Sequence, residues 1–322
     1  VNQNGLIEKV GSNVPRIDYT DGGCPSLLLE PQSTNLITYS EDFTQWYVLG
    51  TPTITSNYGI SPRGLQDADR IQFDNAERIF LNVSASGNTT ISVYLKGSGQ
   101  IRLRDNDAGN SLNINLTSEW VRYELSFNDT ITNVQLEQSV GVSDLEIWGF
   151  QVEQLSYPTS YIPTSGATAT RVAETLSKTG LSNYINSSEG VFYFEGSVFE
   201  EDVRISLSDG TSNNYCNLRF SSFIGLAVFS IVGGVSTGTI STSFNINENY
   251  KIAFLFSDGK QELYVNGVNV ASGTTSWNVS SNAFNQLRFD RFDGLENFKG
   301  KVKDLRVYNQ ALTDTELQNL TS

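Results

Sequence analysis

DLEIWGFQVEQLSYPTSYIPT, residues 144–164, is the stretch that decides how the rest of the sequence is divided. Its first half, residues 145–152, is rich in β-branched and aromatic residues, which predicts a strand. Pro158 and Pro163 offer no N–H to a sheet and favour extended backbone in the preceding residue, so the strand ends by Tyr157. We therefore predict the last strand of one domain, an extended exit segment, and then a second domain.

The length of the sequence agrees with this division. Its 322 residues exceed what one core normally serves, and a boundary near residue 160 gives two domains of ordinary size. The predicted parts are a lead-in that packs on the first domain (1–34), a first domain (35–160), a linker (161–189) and a second domain (190–322).

The sequence has few charged residues, and its acidic residues outnumber its basic ones. Charged residues make up 17% of the chain, below the roughly 25% of ordinary soluble domains, and the net charge is −14. Phosphate backbones and anionic lipid surfaces require clustered Lys and Arg, so we expect no nucleic-acid partner and no membrane partner. The ordinary explanation of an acidic surface is solubility.

The numbers of cysteines and histidines exclude several kinds of structural and catalytic site. Cys24 and Cys216, one in each predicted domain, are too few for a disulfide framework, and we expect reduced thiols. The sequence has no His, which excludes a His-assisted triad and His-ligated zinc. A glycosidase-type carboxylate pair remains, but Glu195 and the cluster at 200–202 are typical of a strand end and a solvated turn. We expect no enzymatic activity.

Period-2 alternation of apolar and polar residues indicates strands in both halves. In the first half the segments are 70–73, 79–83, 90–96, 101–104, 112–116, 120–127 and 132–136; in the second they are 191–198, 204–208, 217–220, 225–232, 250–256 and 261–265. Short strands separated by Gly, Asn and Asp turns predict an all-β fold of two antiparallel β-sandwiches (jelly rolls) in series.

Three local signals add detail to the second domain. Asp258-Gly259 and Asn266-Gly267 predict hairpin turns. Thr313 and Glu316 have the spacing of a capping box, which predicts a short terminal helix. Residues 225–232 are almost continuously apolar, which predicts a central strand covered on both faces.

Two segments of the second half resemble a known superfamily. FSDGKQELYVNGV (256–268) and FKGKVKDLRVYNQALTDTEL (298–317) are similar to the concanavalin A-like, laminin-G-like jelly rolls. The resemblance covers residues 190–320 and implies that the terminal strand and the following turn close the sandwich. Such domains often hold calcium at a loop edge, which makes Asp209, Asp258 and Asp293 candidate ligands.

Segments of the first half resemble a different group. NLITYSEDFTQW (35–46), TISVYLKGSG (90–99), EWVRYELSF (119–127) and IWGFQVEQLSYPTSYIPT (147–164) are similar to the carbohydrate-binding-module-like jelly roll of tailed-phage structural proteins. Residues 5–37 resemble the segment that precedes this module in phage fibre and head- or tail-associated proteins. The resemblance implies a virion protein, commonly a trimer, and sequence upstream of Val1.

A second candidate calcium site comes from residues 105–110. Asp105 and Asp107 place oxygen side chains at alternate positions, as calcium loops do, although the sixth-position Gly and the distal Glu are missing. A β-turn between Leu103 and Leu112 explains the same residues without an ion. Calcium is the only cofactor that the sequence suggests.

Glycan binding requires flat aromatic faces together with amides or carboxylates. The candidate residues are loop aromatics and their polar neighbours: Trp46, Tyr47, Tyr58, Asp209, Asn213, Asn214, Tyr215 and Trp277. The alternative for each is a loop side chain folded over the sandwich end. Trp120 and Trp148 lie in alternating strands and are predicted to be core residues.

We therefore expect a non-enzymatic surface or fibre protein of a tailed phage that binds glycans for attachment to a host or surface. Its partners would be extracellular glycans, other virion proteins and further copies of itself. It would be assembled in the cytoplasm of the bacterial host and exposed on the virion. The alternatives are a secreted bacterial accessory module of a polysaccharide-degrading system and a purely structural capsid or tail decoration protein.

Overall fold

The computed structural model describes residues 1–22, 24–74, 76–105 and 109–322, apart from the side chains of residues 139 and 140. The chain forms two compact units. The N-terminal sandwich consists of Asn4–Lys9 and Pro31–Ala173, and the C-terminal sandwich consists of Val1–Gln3, Val10–Glu30 and Glu174–Ser322. Both are built from antiparallel strands, so the predicted all-β fold class is confirmed.

The regular elements follow one another along the chain with short connections. The strands are β1 (Ile17–Asp18), β2 (Ser26–Leu29), β3 (Ser33–Asn35), β4 (Tyr47–Leu49), β5 (Thr53–Ile60), β6 (Gln66–Phe73), β7 (Arg78–Ala85), β8 (Asn88–Asp105), β9 (Ser111–Asn115), β10 (Val121–Asn128), β11 (Ile131–Glu153), β12 (Ala169–Arg171), β13 (Ser177–Thr179), β14 (Gly190–Val198), β15 (Val203–Ser208), β16 (Tyr215–Ser221), β17 (Gly225–Val232), β18 (Val235–Thr242), β19 (Asn249–Ser257), β20 (Lys260–Val265), β21 (Val268–Gly273), β22 (Gln286–Arg288) and β23 (Gly300–Tyr308). A 3-10 turn at Phe43–Gln45 and helix α1 (Asp314–Thr321) complete the set.

The N-terminal sandwich contains two sheets that share their two longest strands. One sheet has the order β10-β8-β11-β6-β5, and the other has the order β9-β8-β11-β7-β4. The first half of β8 pairs with β10 and its second half pairs with β9. The segments that we predicted as separate strands at 90–96 and 101–104 are therefore one strand, and those at 132–136 and 145–152 are both parts of β11.

Alternation along these strands creates the core between the two sheets. On β8 the side chains of Ile91, Val93, Leu95, Ile101 and Leu103 are fully buried in one cluster with Val134, Leu136, Leu145 and Ile147 of β11. The side chains between them point away from the core because successive residues of a strand face opposite sides. The outer faces of both sheets therefore carry the polar residues and a few aromatic ones.

The segment after β11 covers part of one outer face. Thr90 Oγ1 donates to the Leu155 carbonyl at 2.9 Å, and the Thr159 N–H donates to the Glu153 carboxylate at 3.0 Å. The Ile162 N–H donates to Gln151 Oε1 at 2.7 Å. Strand β11 ends before Tyr157, as predicted, but the residues that follow are bound to the N-terminal sandwich.

The C-terminal sandwich packs a seven-stranded sheet on a six-stranded one. Their orders are β1-β2-β23-β14-β19-β20-β21 and β13-β22-β15-β16-β17-β18. The predicted hairpins lie between β19 and β20 and between β20 and β21, and the capping box of Thr313 and Glu316 begins α1. Leu317 of α1 packs on the outer face of the larger sheet. In the described part of the chain no helix is long and apolar enough to cross a membrane.

The structure divides the chain differently from the predicted boundaries. Strand β2 pairs with β23, so most of the predicted lead-in belongs to the C-terminal sandwich. Arg16 donates to Glu30 at 2.6 Å and to Glu174 at 2.5 Å, which ties the two ends of this unit together. The predicted linker is also absent as a separate segment, because β12 pairs with β3 and β13 pairs with β22.

Aromatic side chains fill the core of the C-terminal sandwich, and Trp277 is among them. It is 2% exposed and packs against Phe256 and Phe284, with ring centroids 5.1 and 6.3 Å away. Its indole N–H donates to the Ser187 carbonyl at 2.8 Å. The prediction that β17 is central and covered on both faces is wrong, since it lies next to the edge strand and several of its residues are only partly buried.

Arg16→Gln tests the assignment of the lead-in. We expect it to lower the free energy of unfolding of the C-terminal sandwich by about 2 kcal/mol, because the charge-assisted bonds of a largely buried guanidinium to two carboxylates are lost. Hydrogen–deuterium exchange of peptides from each unit measures this separately. The matched control is Arg306→Gln, whose arginine pairs with Asp304 at the surface, and it should change stability by less than about 0.5 kcal/mol. Destabilisation of the N-terminal sandwich by Arg16→Gln would contradict the assignment.

Trp277→Ala tests whether this residue is structural. Removal of a buried indole should cost the C-terminal sandwich about 4 kcal/mol through lost burial and the cavity left behind. The same exchange measurement reads the effect. An unchanged stability would mean that the side chain lies at the surface, as the sequence had suggested.

Candidate functional site

The strongest candidate site lies at one end of the six-stranded sheet of the C-terminal sandwich. Strands β16 and β17 are joined by a three-residue turn that is closed by the pair Ser221 and Gly225. Gly225 has a φ of +77°, and a Cβ there would collide with the Thr242 carbonyl of β18. Glycine thus permits both the left-handed backbone and the close approach of the neighbouring strand.

A network of short hydrogen bonds holds this turn in place. The hydroxyls of Ser221 and Ser222 donate to the two carboxylate oxygens of Asp202, at 3.1 and 2.8 Å. The Phe223 N–H donates in turn to Ser221 Oγ at 3.2 Å. The bond from Ser222, together with that from Ser221, holds the pKa of Asp202 below its usual range, so the carboxylate is ionised at neutral pH.

Phe223 stands at the tip of this turn and is 92% exposed. Beside it is an open depression of about 440 Å³. Its lining includes five hydroxyl side chains, which belong to Ser221, Ser222, Ser241, Thr242 and Ser243. Phe244 also lines it and packs on Phe220 of the core, with ring centroids 5.6 Å apart. We name this arrangement the Phe223 depression.

The Phe223 depression combines an apolar face with hydroxyls that can donate and accept hydrogen bonds. Glu201 is the one acidic residue in its described lining. The neighbouring acids are engaged elsewhere, since Glu200 pairs with Lys299 at 2.8 Å and Asp202 holds the turn. The arrangement is suited to binding a small polar molecule that has an apolar face.

The predicted loop residues 209–214 do come together, but they bind one another. Asn214 Nδ2 donates to Asp209 Oδ2 at 2.9 Å, and Asn214 Oδ1 accepts the Gly233 N–H at 2.9 Å. Asn213 bonds through its carbonyl to the Gly234 N–H. These contacts hold the loop in shape and leave the amide of Asn214 engaged.

Three of the predicted glycan-binding aromatics are buried, and those predictions are wrong. Trp277 lies in the core described above. Trp46 is buried too, because its indole N–H donates to the Tyr39 carbonyl at 2.9 Å and its ring packs on Phe150 at 4.8 Å. Tyr215 is buried under Phe292, with ring centroids 4.5 Å apart.

Tyr47 and Tyr58 are exposed, but the structure does not bring them together. Tyr47 is on β4 at the edge of one sheet, and Tyr58 is on β5 at the edge of the other. The guanidinium of Arg70 lies 4.8 Å from the centre of the Tyr58 ring. Trp148 is buried as predicted, whereas Trp120 is only partly buried and donates to the Ile60 carbonyl at 2.9 Å.

The candidate calcium ligands do not form a ligand set. Asp105 accepts the N–H groups of Gly109 and Asn110 at 3.0 and 3.1 Å, so it closes its own turn, and Asp107 lies outside the described residues. Within the described ranges no group of three or more Cys, Asp or Glu side chains could hold a metal.

The three carboxylates predicted from the laminin-G resemblance are also engaged in their own loops. Asp209 accepts from Thr211 at 2.7 Å, Asp258 accepts the Trp277 N–H at 3.1 Å, and Asp293 pairs with Arg291. The structure therefore does not bring these three acids together around an ion.

Sequence reasoning missed Phe223, although a signal was present. The predicted strands 217–220 and 225–232 leave Ser221-Ser222-Phe223-Ile224 between them as a hairpin turn. Small polar residues dominate such turns, so a large aromatic side chain at the turn is unusual. The candidate sugar-binding rings were all Trp or Tyr, so Phe223 was not among them.

A family model matches most of the C-terminal sandwich. Residues 192–318 match the family model of the concanavalin A-like lectin/glucanases superfamily, and no curated protein matches the sequence. A heptameric SAP-like pentraxin from Limulus polyphemus is 18% identical, with a TM-score of 0.36 over 43% of this chain and 71% of that one. Domain 4 of an extracellular GH43 arabinanase from Geobacillus stearothermophilus, solved with arabinotriose, is 17% identical, with a TM-score of 0.36 over 48% and 73%. Residues 192–318 are thus a concanavalin A-like lectin/laminin G domain.

Proposed function

We propose that the chain is a non-enzymatic carbohydrate-binding protein and that its lectin-like domain takes a saccharide in the Phe223 depression. The observation that carries this proposal is a fully presented aromatic ring on a turn that hydrogen bonds hold rigid. The family match of residues 192–318 supports the same ligand class.

In this proposal the C–H face of a sugar ring packs on Phe223. The hydroxyls of Ser241, Thr242 and Ser243 exchange hydrogen bonds with the sugar hydroxyls, and Glu201 accepts from one more. The hydroxyls of Ser221 and Ser222 donate to Asp202 and can only accept from the sugar. Because the turn is already ordered by Asp202, binding loses little conformational freedom. One shallow contact of this kind is weak, and display of several copies would multiply it.

The non-enzymatic character is part of the proposal. Glycoside hydrolysis of the usual kind needs two carboxyl groups on opposite sides of the scissile bond. Glu201 is the one acid in the described lining of the Phe223 depression, and the sequence contains no His. Binding without bond cleavage accounts for these residues better than catalysis.

We further propose that the protein is a surface or fibre component of a tailed phage that attaches to glycans of the host or its surroundings. The resemblance of residues 5–37 and of the N-terminal sandwich to phage structural proteins supports this. The protein would then be assembled in the host cytoplasm, join other virion proteins, and form a trimer. Co-purification with intact virions is the expected result, whereas recovery from a bacterial secretome would favour the accessory-module alternative.

Phe223→Ala tests the binding site. On a glycan array followed by titration calorimetry, the wild-type protein should bind a subset of neutral saccharides, and the variant should bind them at least tenfold more weakly. A tenfold loss corresponds to about 1.4 kcal/mol, which one aromatic contact can supply.

The matched control is Tyr184→Ala, which removes another exposed aromatic ring that does not line the depression. Both variants should keep wild-type stability, since neither side chain is buried. Equal binding by wild type and Phe223→Ala would refute the site, and no binding of any saccharide by the wild type would favour the structural decoration alternative.

A further inference from the structure

The outer face of one sheet of the N-terminal sandwich has an unusual composition. In the sheet β9-β8-β11-β7-β4, Tyr47 lies opposite Phe80, and Phe80 lies opposite Gln135. Arg78 is two residues before Phe80 on the same strand and thus on the same face. We name these residues, together with Asn133, the sheet platform.

The aromatic part of the sheet platform is open to solvent. Tyr47 is 56% exposed, and its ring stacks on that of Phe80 with centroids 5.3 Å apart and planes 27° from parallel. At this separation the two rings are offset-stacked, and the exposed Tyr47 ring forms an apolar contact surface at the sheet edge. Stacking also fixes their orientation, so a ligand does not have to order them.

Arg78 has no ion-pair partner among the described residues. Its Nε is buried without a hydrogen-bond partner among the described residues. Glu137, which lies opposite Arg78 in the register, is engaged by Arg102 and, at 3.6 Å, by Arg104. Glu77 is engaged as well, since it accepts the N–H groups of Thr51 and Asp74 at 2.6 and 2.8 Å. Within the described structure, a guanidinium without an ion pair therefore lies beside the aromatic pair in a chain of net charge −14.

Gln135 offers a buried acceptor next to the rings. Its side chain is 3% exposed, and Nε2 donates to Asn133 Oδ1 at 2.9 Å. The other amide atom, Oε1, is buried with no partner in the described structure. Buried polar atoms are almost always paired, and leaving one unpaired costs about 1–3 kcal/mol. A hydroxyl of a ligand laid on the rings would satisfy it.

We propose that the sheet platform binds an acidic saccharide, that is, one bearing a carboxylate or sulfate group. The sugar ring packs on Tyr47 and Phe80, the anionic group pairs with Arg78, and a hydroxyl donates to Gln135. Arginine suits this role because its planar fork matches such anions with two parallel hydrogen bonds. The site is separate from the Phe223 depression and rests on observations in the other sandwich.

The test uses the full chain carrying Phe223→Ala, so that the first site is silent. Calorimetry compares an oligogalacturonate, a sulfated galactan oligomer and a neutral galactan oligomer of equal length. At least one acidic oligomer should bind tenfold or more tightly than the neutral one, and the tighter of the two identifies the anionic group. Equal affinity for all three, or no binding, would overturn the proposal.

Variants of the sheet platform then assign the contacts. Arg78→Gln should weaken binding of the acidic oligomer at least tenfold and abolish its preference over the neutral one, whereas Arg78→Lys should retain part of it. Tyr47→Ala should weaken both ligands alike. Arg306→Gln is the matched control and should change neither. Thermal unfolding confirms that each variant is folded, and acid preference that survives Arg78→Gln would refute the role of this arginine.

Discussion

The N-terminal sandwich depends on two strands that each run through both of its sheets. Strand β8 bends at Gly97 and Gly99, whose φ angles are +147° and +98°. A Cβ at position 97 would lie 2.7 Å from Leu145 Cα, and one at 99 would lie 2.7 Å from the Val142 carbonyl oxygen, so β11 can pass only over glycine. Because the two sheets are continuous through β8 and β11, the bend fixes which side chains face the core and which form the sheet platform.

Buried polar side chains complete this unit. Asn35 Nδ2 donates to the Ile162 carbonyl at 2.9 Å, and Asn35 Oδ1 accepts the Val152 N–H at 3.1 Å. Gln151 and Glu153 bind the same returning segment. Each such bond contributes only about 1 kcal/mol to the free energy of unfolding, but loss of one partner leaves the other buried without a hydrogen bond. The segment that the prolines mark as an exit is consequently a cover for the outer face of β11, held by side chains whose polarity would otherwise oppose their burial.

Local features of the sequence predicted local structure well. The sequence did not predict which distant strands pair with each other. Asp258-Gly259, Asn266-Gly267 and the capping box at Thr313 require only neighbouring residues, and all three form as expected. The pairing of β2 with β23 joins residues far apart in the sequence, and nothing in either strand encodes the partner. Alternation also changes phase along β11, where register shifts such as that between Trp148 and Gln151 move the core side from odd to even positions.

The prediction that loop tryptophans bind glycans was wrong for a related reason. Their position in loops predicts that Trp46 and Trp277 lie at the surface, yet both are anchored in the cores through their indole N–H groups. For these two residues, loop carbonyls at the end of each sandwich accept the indole N–H. Phe223 and Tyr47 are two of the rings that reach solvent. A carboxylate network holds the turn that carries Phe223, and Tyr47 is held by its stacked neighbour Phe80. The two rings therefore differ in setting, since Phe223 stands alone at the tip of a turn and Tyr47 is stacked within a sheet face.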